Sequence, residues 1–227
     1  DAGELALVFN QAFSDYFIEI KMTEKEMARK IRHENLDLSL SVGAYLNSVL
    51  VGFIFHTKRG DLIYNSGTGV VPEHRGKGFT KRMYEYALPN LKRNGIRRVV
   101  LEVIDKNSPA IKSYESVGFK AIRTVRCFKG RLSGRKHPNV EEVELNSIDL
   151  ELIEDMVDCR PTFQNTLKAI LANEGNRVVV VRNNNRAVAG YAFFSSSGRV
   201  HQFAISRDHR RTQLGTQLFE YISSECP

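Results

Sequence analysis

Residues 75–80, Arg75-Gly76-Lys77-Gly78-Phe79-Thr80, set two cations and two glycines where a β-branched pair and a proline, "VVP", give way to an amphipathic run. Glycine inside a helix costs about 1 kcal/mol relative to alanine, so the pair points to a loop whose backbone is approached closely. The first N–H groups of a helix have no intrahelical partner, and the helix dipole adds partial positive charge there. Glycines let a phosphate come near, and Arg75 and Lys77 add charge. The chemistry implied is the binding of a polyanion. A plain strand-to-helix connection with exposed basic residues would read the same way from this loop alone. Neither the Gly-x4-Gly-Lys-Ser/Thr spacing nor Gly-x-Gly-x-x-Gly is met.

A second group follows in "LEVIDKNSPAIKSYESVGF" (101–119), which carries Glu102, Asn107, Ala110 and Tyr114. Glu102 stands in the apolar run "VVLEVI"; if buried, its pKa would rise, which suits a general base. It reads equally as a satisfied polar position near a strand end. Asn107 can cap the helix that starts after it. His56, Asp61 and Tyr64, around the preceding hairpin, are weaker candidates and read as surface or packing.

The elements that must position these residues can be read from periodicity. Residues 4–17 are expected to be helical, and a second helix starts at Thr23, where Thr23-Glu24-Lys25-Glu26 matches a capping box. Strands are expected at 40–46, 49–57 and 62–71. Phe79, Met83, Ala87 and Leu91 recur every four residues and define the buried stripe of the next helix. Pro89 falls inside that stripe and predicts a kink or an early end, with Gly95 as the stop. "RRVVLEVI" (97–104) reads as a nearly continuous strand in a sheet covered on both faces. A short helix from Asn107 to about Val117 and a strand-like "FKAIRTVRCF" complete this half. The polar stretch 129–139 reads as a linker.

With the elements in place, Arg-x-x-Gly-x-Gly/Ala at 75–80 and Asn-x-x-Ala-x-x-x-Tyr-x-x-x-Gly-Phe at 107–119, through Asn107, Ala110, Tyr114, Gly118 and Phe119, resemble two consecutive motifs of the GNAT superfamily of acyl-CoA-dependent N-acyltransferases. Thr80 departs from the usual small residue. The resemblance covers most of residues 1–128; the family's usual first strand has no match, consistent with a missing N-terminus. It implies an α/β (α+β) fold, a mixed, mostly antiparallel central sheet splayed between two parallel strands and flanked by helices. It implies acetyl-CoA as acyl donor, with the backbone at Gly69, Val70 and Val71 holding pantetheine and an N–H near Val70 or Val71 polarising the thioester. Residues Arg75, Gly76, Lys77, Gly78, Phe79 and Thr80 would cradle the pyrophosphate, and Asn107, Ala110 and Tyr114 would contact the cofactor arm. Tyr114 would protonate the departing thiolate. Glu102 lies twelve residues before Tyr114, a spacing shared with ribosomal-protein alanine acetyltransferases, where that glutamate is proposed as base.

After the linker the pattern begins again. "VEEVEL" reads as a strand, 147–157 and 163–174 as helices, 176–182, 186–194 and 199–205 as strands, and 210–224 as a helix. "AGYAFFSSSGRVHQFAISRDHRRTQLGTQLFEY" repeats the Gly-aromatic, hairpin, strand, His-Arg, helix order of the first half, which indicates duplicated domains. The expected boundaries are 1–130 for the GNAT domain and 140–227 for a degenerate, C-terminally incomplete GNAT-like domain. Arg210 aligns with Arg75 and Gly215 with Thr80, but Gln213 stands at Gly78, where a side chain would block a phosphate.

A net charge of +7 admits nucleic acid, an anionic membrane surface or a polyanionic ligand. No apolar run reaches the ~18 residues that span a bilayer, and aromatic–basic interleaving of the RNA-binding kind is absent. Three separated cysteines and scattered histidines argue for reduced thiols, no metal and a cytoplasmic setting. The expected partner is a small-molecule or peptide amine, with neither nucleic acid nor membrane. The competing reading is a non-catalytic acyl-CoA-binding or sensing protein.

Overall fold

The computed structural model describes residues 1–173 and 175–226; Glu174, the end of the helix expected over 163–174, and Pro227 lie outside them. The chain divides into two compact units, Asp1–Thr124 and Val125–Pro227.

In the first unit, α1 (Ala2–Ala12) is capped by the Asp1 carboxylate, which accepts from the Glu4 N–H at 2.8 Å. It ends five residues before the expected 17, because the chain turns back and Asn10 exchanges two hydrogen bonds with the Met22 backbone. α2 (Glu24–His33) starts at Thr23 with both arms of the capping box formed. Strands β1 (Val42–Leu46), β2 (Val49–Arg59) and β3 (Leu62–Val70) form an antiparallel meander, and β4 (Arg98–Val100) joins β3 in parallel. Side chains alternate across β2. Phe53 and Phe55 pack on Phe9 and Met27 of α1 and α2, while Ile54 faces Met83 and Tyr84 of α3 (Phe79–Arg93). Pro89 does not end α3: the turn beyond it buries Leu91 against Ile63 and Ile96, which offsets the lost backbone bond.

The feature that shapes the site is a bulge in β3. Phe55 pairs with Gly67 and His56 with Asn65, so Ser66 is unmatched. A bulge bends and twists its strand. Beyond Tyr64, β3 leaves β4, whose pairing is confined to Leu62–Tyr64 with Arg98–Val100. The strand expected over 97–104 is therefore three residues long, and Arg98 is exposed, so it is not covered on both faces. Helix α4 (Ser108–Glu115) follows, with Asn107 as N-cap. Residues 119–128 form no strand; a β-segment needs a partner to bond, and none pairs with it among the described residues.

The second unit repeats the plan. β5 (Val140–Val143), β6 (Asn176–Arg182), β7 (Val188–Ser195) and β8 (Val200–Ile205) form an antiparallel sheet. Helices α5 (Leu150–Met156) and α6 (Leu167–Leu171) cover one face through Ile153 and Ile170, and α7 (Leu214–Glu225) covers the other through Leu218 and Ile222. The bulge recurs: Phe193 pairs with Gln202 and Phe194 with Val200, leaving His201 unmatched.

Candidate active site

Where β3 and β4 part, a cavity of about 140 Å³ opens, lined among others by Tyr16, Tyr64, Thr68, Glu102, Asn107 and Tyr114. Glu102, Asn107, Ala110 and Tyr114, read from the sequence as one group, share this wall. Asn107 accepts the Ala110 N–H at 3.3 Å, so its side chain serves the cap. Tyr114 packs edge-on against Tyr84 and Phe119, and burial pushes its phenol pKa up. A phenol held protonated can act as an acid. Glu102 differs from expectation. It lies past the end of β4 and is exposed, and it accepts from the Tyr64 hydroxyl at 3.2 Å.

The strand backbone corrects another expectation. Val71 donates its N–H to Val51 at 2.9 Å, and alternation then turns Gly69 toward β2 as well. Thr68 and Val70 instead face the gap. Val70 is thus the one member of the expected trio whose N–H faces the gap, and Thr68, not singled out from the sequence, faces it too. Gly69 is a packing residue: a Cβ there would lie 2.8 Å from Ala12 and Phe53.

At the loop, Gly76 (φ +71°) and Gly78 (φ +75°) are left-handed, and a Cβ at either meets nothing within 4 Å. No acceptor is found among the described residues for the N–H groups of Gly76, Lys77 and Gly78. The first helical donor is Arg82, to Gly78 O, so the N–H groups of Phe79, Thr80 and Lys81 precede the α3 ladder. Open space before a cluster of donors suits a phosphate. The side chains act differently from expectation. Arg75 turns inward, donating to Val70 O at 3.1 Å, Ala12 O at 2.8 Å and both Asp15 oxygens. Lys77 donates to Glu73 O at 2.9 Å, and Phe79 packs into the core beneath Arg82. Arg75 is a clamp on the loop, and the donors left open there are backbone N–H groups.

Of the weaker candidates, Tyr64 lines the cavity beside Glu102, while His56 and Asp61 stay structural. His56 is buried, with Nδ1 2.7 Å from Leu40 O, and Asp61 pairs with Arg97 at 2.6 Å. Among the described residues there is no cluster of His, Cys, Asp or Glu that could hold a metal, and no helix long and apolar enough to cross a membrane.

The sequence pattern of the acetyltransferase (GNAT) family matches residues 7–119, and that of the acetyltransferase (GNAT) domain matches residues 152–227. No curated protein matches the chain. Among solved structures, a GCN5-related N-acetyltransferase from Sphaerobacter thermophilus is similar over 99% of this chain and 79% of its own, with a TM-score of 0.72 at 13% identity. The ribosomal-protein-S18-alanine N-acetyltransferase from Escherichia coli covers 53% of this chain and 72% of its own at 22% identity and a TM-score of 0.45. The PaiA N-acetyltransferase from Thermoplasma acidophilum, solved with coenzyme A, covers 55% and 87% at 22% identity and a TM-score of 0.41. With a GNAT pattern in each unit and the fold matched across both, the chain belongs to the GNAT family of acetyltransferases.

Proposed function

We propose that the first unit binds acetyl-CoA and transfers its acetyl group to a primary amine of a small molecule or peptide, in the cytoplasm, with Tyr114 as general acid. The observation that carries this reading is one cavity, opened by the β3 bulge, in which Tyr114 and Glu102 face the gap served by the Thr68 and Val70 backbone. Acetyl-CoA, when bound, supplies a thioester open to attack by an amine and a thiolate able to leave. The gap-facing N–H groups of Thr68 and Val70 are suited to hold a carbonyl oxygen that gains negative charge. The N–H groups at 76–81 receive the pyrophosphate. Tyr114 Oη gives its proton to the departing sulfur, and burial keeps that proton in place beforehand. Glu102 takes the proton the amine must lose, and its exposure lets that proton pass on to water.

The second unit is proposed to be catalytically silent, because Gln213 stands where Gly78 lets a phosphate approach. Calorimetric titration with acetyl-CoA, paired with turnover of the Tyr114→Phe variant, tests both points. One site per chain is expected, with Tyr114→Phe lowering kcat about a hundredfold and leaving affinity unchanged. Two sites would overturn the silence of the second loop. Binding without turnover on any amine would leave a sensing protein, and no binding at millimolar acetyl-CoA would remove both readings.

A further inference from the structure

The cavity beside Tyr114 is lined by polar groups of two kinds. Some are used within the protein: Asn65 accepts the Gly67 N–H at 2.9 Å and donates to Thr68 Oγ1 at 2.7 Å and to the Tyr84 hydroxyl. Others are acceptors by the direction of their bonds. The Tyr64 hydroxyl spends its proton on Glu102. Thr57 Oγ1 donates its one proton to Glu34 O at 3.0 Å, so in its 2.7 Å bond with Ser66 it must accept. Ser66, in the cavity wall, thus gives its proton away and offers a further partner only lone pairs. Among the described residues lining the cavity, Glu102 is the one charged side chain, and there is no Lys, Arg or His, in a chain of net charge +7. Such a wall favours a cationic N–H donor.

The same wall is aromatic. Phe13 and Tyr16 belong to a row of rings that climbs from the core to the surface, with centroids 4.6, 4.9 and 5.4 Å apart. Phe9 is buried, Phe13 and Tyr16 are half-buried, and Phe17 is 57% exposed. A single exposed apolar residue is ordinary, but Phe17 ends a row that runs through the cavity wall. Val103, in that wall, is exposed too. The segment carrying Tyr16 and Phe17 is held by the Asp15 pair with Arg75 and by the bonds of Asn10 to Met22. At about 140 Å³ the cavity has room for reacting groups and not for the body of an acceptor as well. That body must lie along the rim.

We propose that the acceptor is a primary amine carried one or two carbons from an aromatic ring. Its ammonium is drawn to Glu102 and Ser66, and its ring lies on Tyr16, Phe17 and Val103. Apolar contact and ring-on-ring packing at the rim supply the selectivity, and the carboxylate supplies the orientation. The inference rests on the acetyl transfer proposed above and names the substrate class of that site.

The test begins with binding, which needs no transfer. In saturation-transfer NMR on the full chain with coenzyme A, the ring protons of 2-phenylethylamine should receive saturation. Phe17→Ala should weaken that signal and Phe17→Tyr should restore it, while 2-phenylethanol, which lacks the charge, should give less. In turnover with acetyl-CoA, kcat/KM for 2-phenylethylamine should exceed that for 2-methoxyethylamine, an amine of similar basicity, by about tenfold or more. Phe17→Ala should cut that ratio about fivefold. The peptides Phe-Ala-Ala and Ala-Ala-Ala show where the ring comes from: a preference for Phe-Ala-Ala over the free amine assigns it to a peptide N-terminus, and the reverse to a small molecule. Equal use of the two free amines, or a ratio that Phe17→Ala leaves unmoved, overturns the proposal. So does a protein that binds acetyl-CoA and neither binds nor acetylates any of these amines. Ring-dependent binding of 2-phenylethylamine without acetylation would leave the amine site standing and remove the acetyl transfer instead.

Discussion

Gly76 and Gly78 in the first unit have φ of +71° and +75°, and Arg211 and Gln213 in the second have +62° and +67°. Each loop leads into a helix, α3 or α7, with a left-handed N-cap. Each is clamped by an arginine: Arg75 donates to Val70 O and pairs with Asp15, and Arg210 donates to Ile205 O at 3.0 Å and pairs with Asp158 at 2.8 Å. The two loops share one backbone and differ in what covers it. The frame of strand end, arginine clamp and helix sets the shape, even at a cost of about 1–2 kcal/mol for each non-glycine residue held left-handed. In the first loop glycine leaves open space in front of the N–H groups.

The comparison can be broken most severely by writing the second loop into the first. Gly76→Arg with Gly78→Gln should lower acetyl-CoA affinity about a hundredfold or more, roughly 2.7 kcal/mol, while the fold persists; calorimetry would show it. Retained affinity would mean that the glycines are not what admits the phosphate. The converse change, Arg211→Gly with Gln213→Gly, should stabilise the second unit by about 1 kcal/mol, the relieved strain being partly offset by added freedom in the unfolded chain. The urea midpoint of that unit's transition measures it, and a lower midpoint would mean that the side chains contribute more than their strain costs. The smallest effect belongs to the clamp. The hydrogen bond from Arg75 holds the Asp15 pKa below its usual value. A group with a depressed folded pKa contributes stability that is full above its unfolded pKa and is lost as pH falls through the folded one. Wild-type protein should therefore lose slightly more stability than Asp15→Asn across that acid range, and parallel pH profiles would count against the clamp.

Local chemistry was legible in the sequence. Thr23 and Glu26 form their capping box, Asn107 caps α4, and the 75–80 loop lies between strand and helix as its spacing implied. What depended on tertiary structure was not. The length of β4 is set by where β3 bends away, which no pattern within 97–104 encodes. The exposure of Glu102 follows from that bend. Thr68 looked like an ordinary β-former among "NSGTGV", because the side chain it meets, Asn65, lies across a bulge. Gln213 gave no sign of a left-handed backbone, a conformation the frame imposes against its preference.

Along an unbroken strand, residues three apart point to opposite faces. Asn65 and Thr68 are three apart, yet their side chains meet at 2.7 Å. Ser66, the unmatched residue, changes the parity of the count, so an odd separation behaves as an even one. Were Ser66 paired in the ladder like its neighbours, every member of the Asn65–Thr68–Tyr84 group would still be in the sequence, but Asn65 and Thr68 would point to opposite faces. The second unit keeps the same phase change at His201 with Val200 and Phe203 on either side. The frame shift is thus a property of the architecture, and the first unit is the one in which polar residues occupy the positions it brings together.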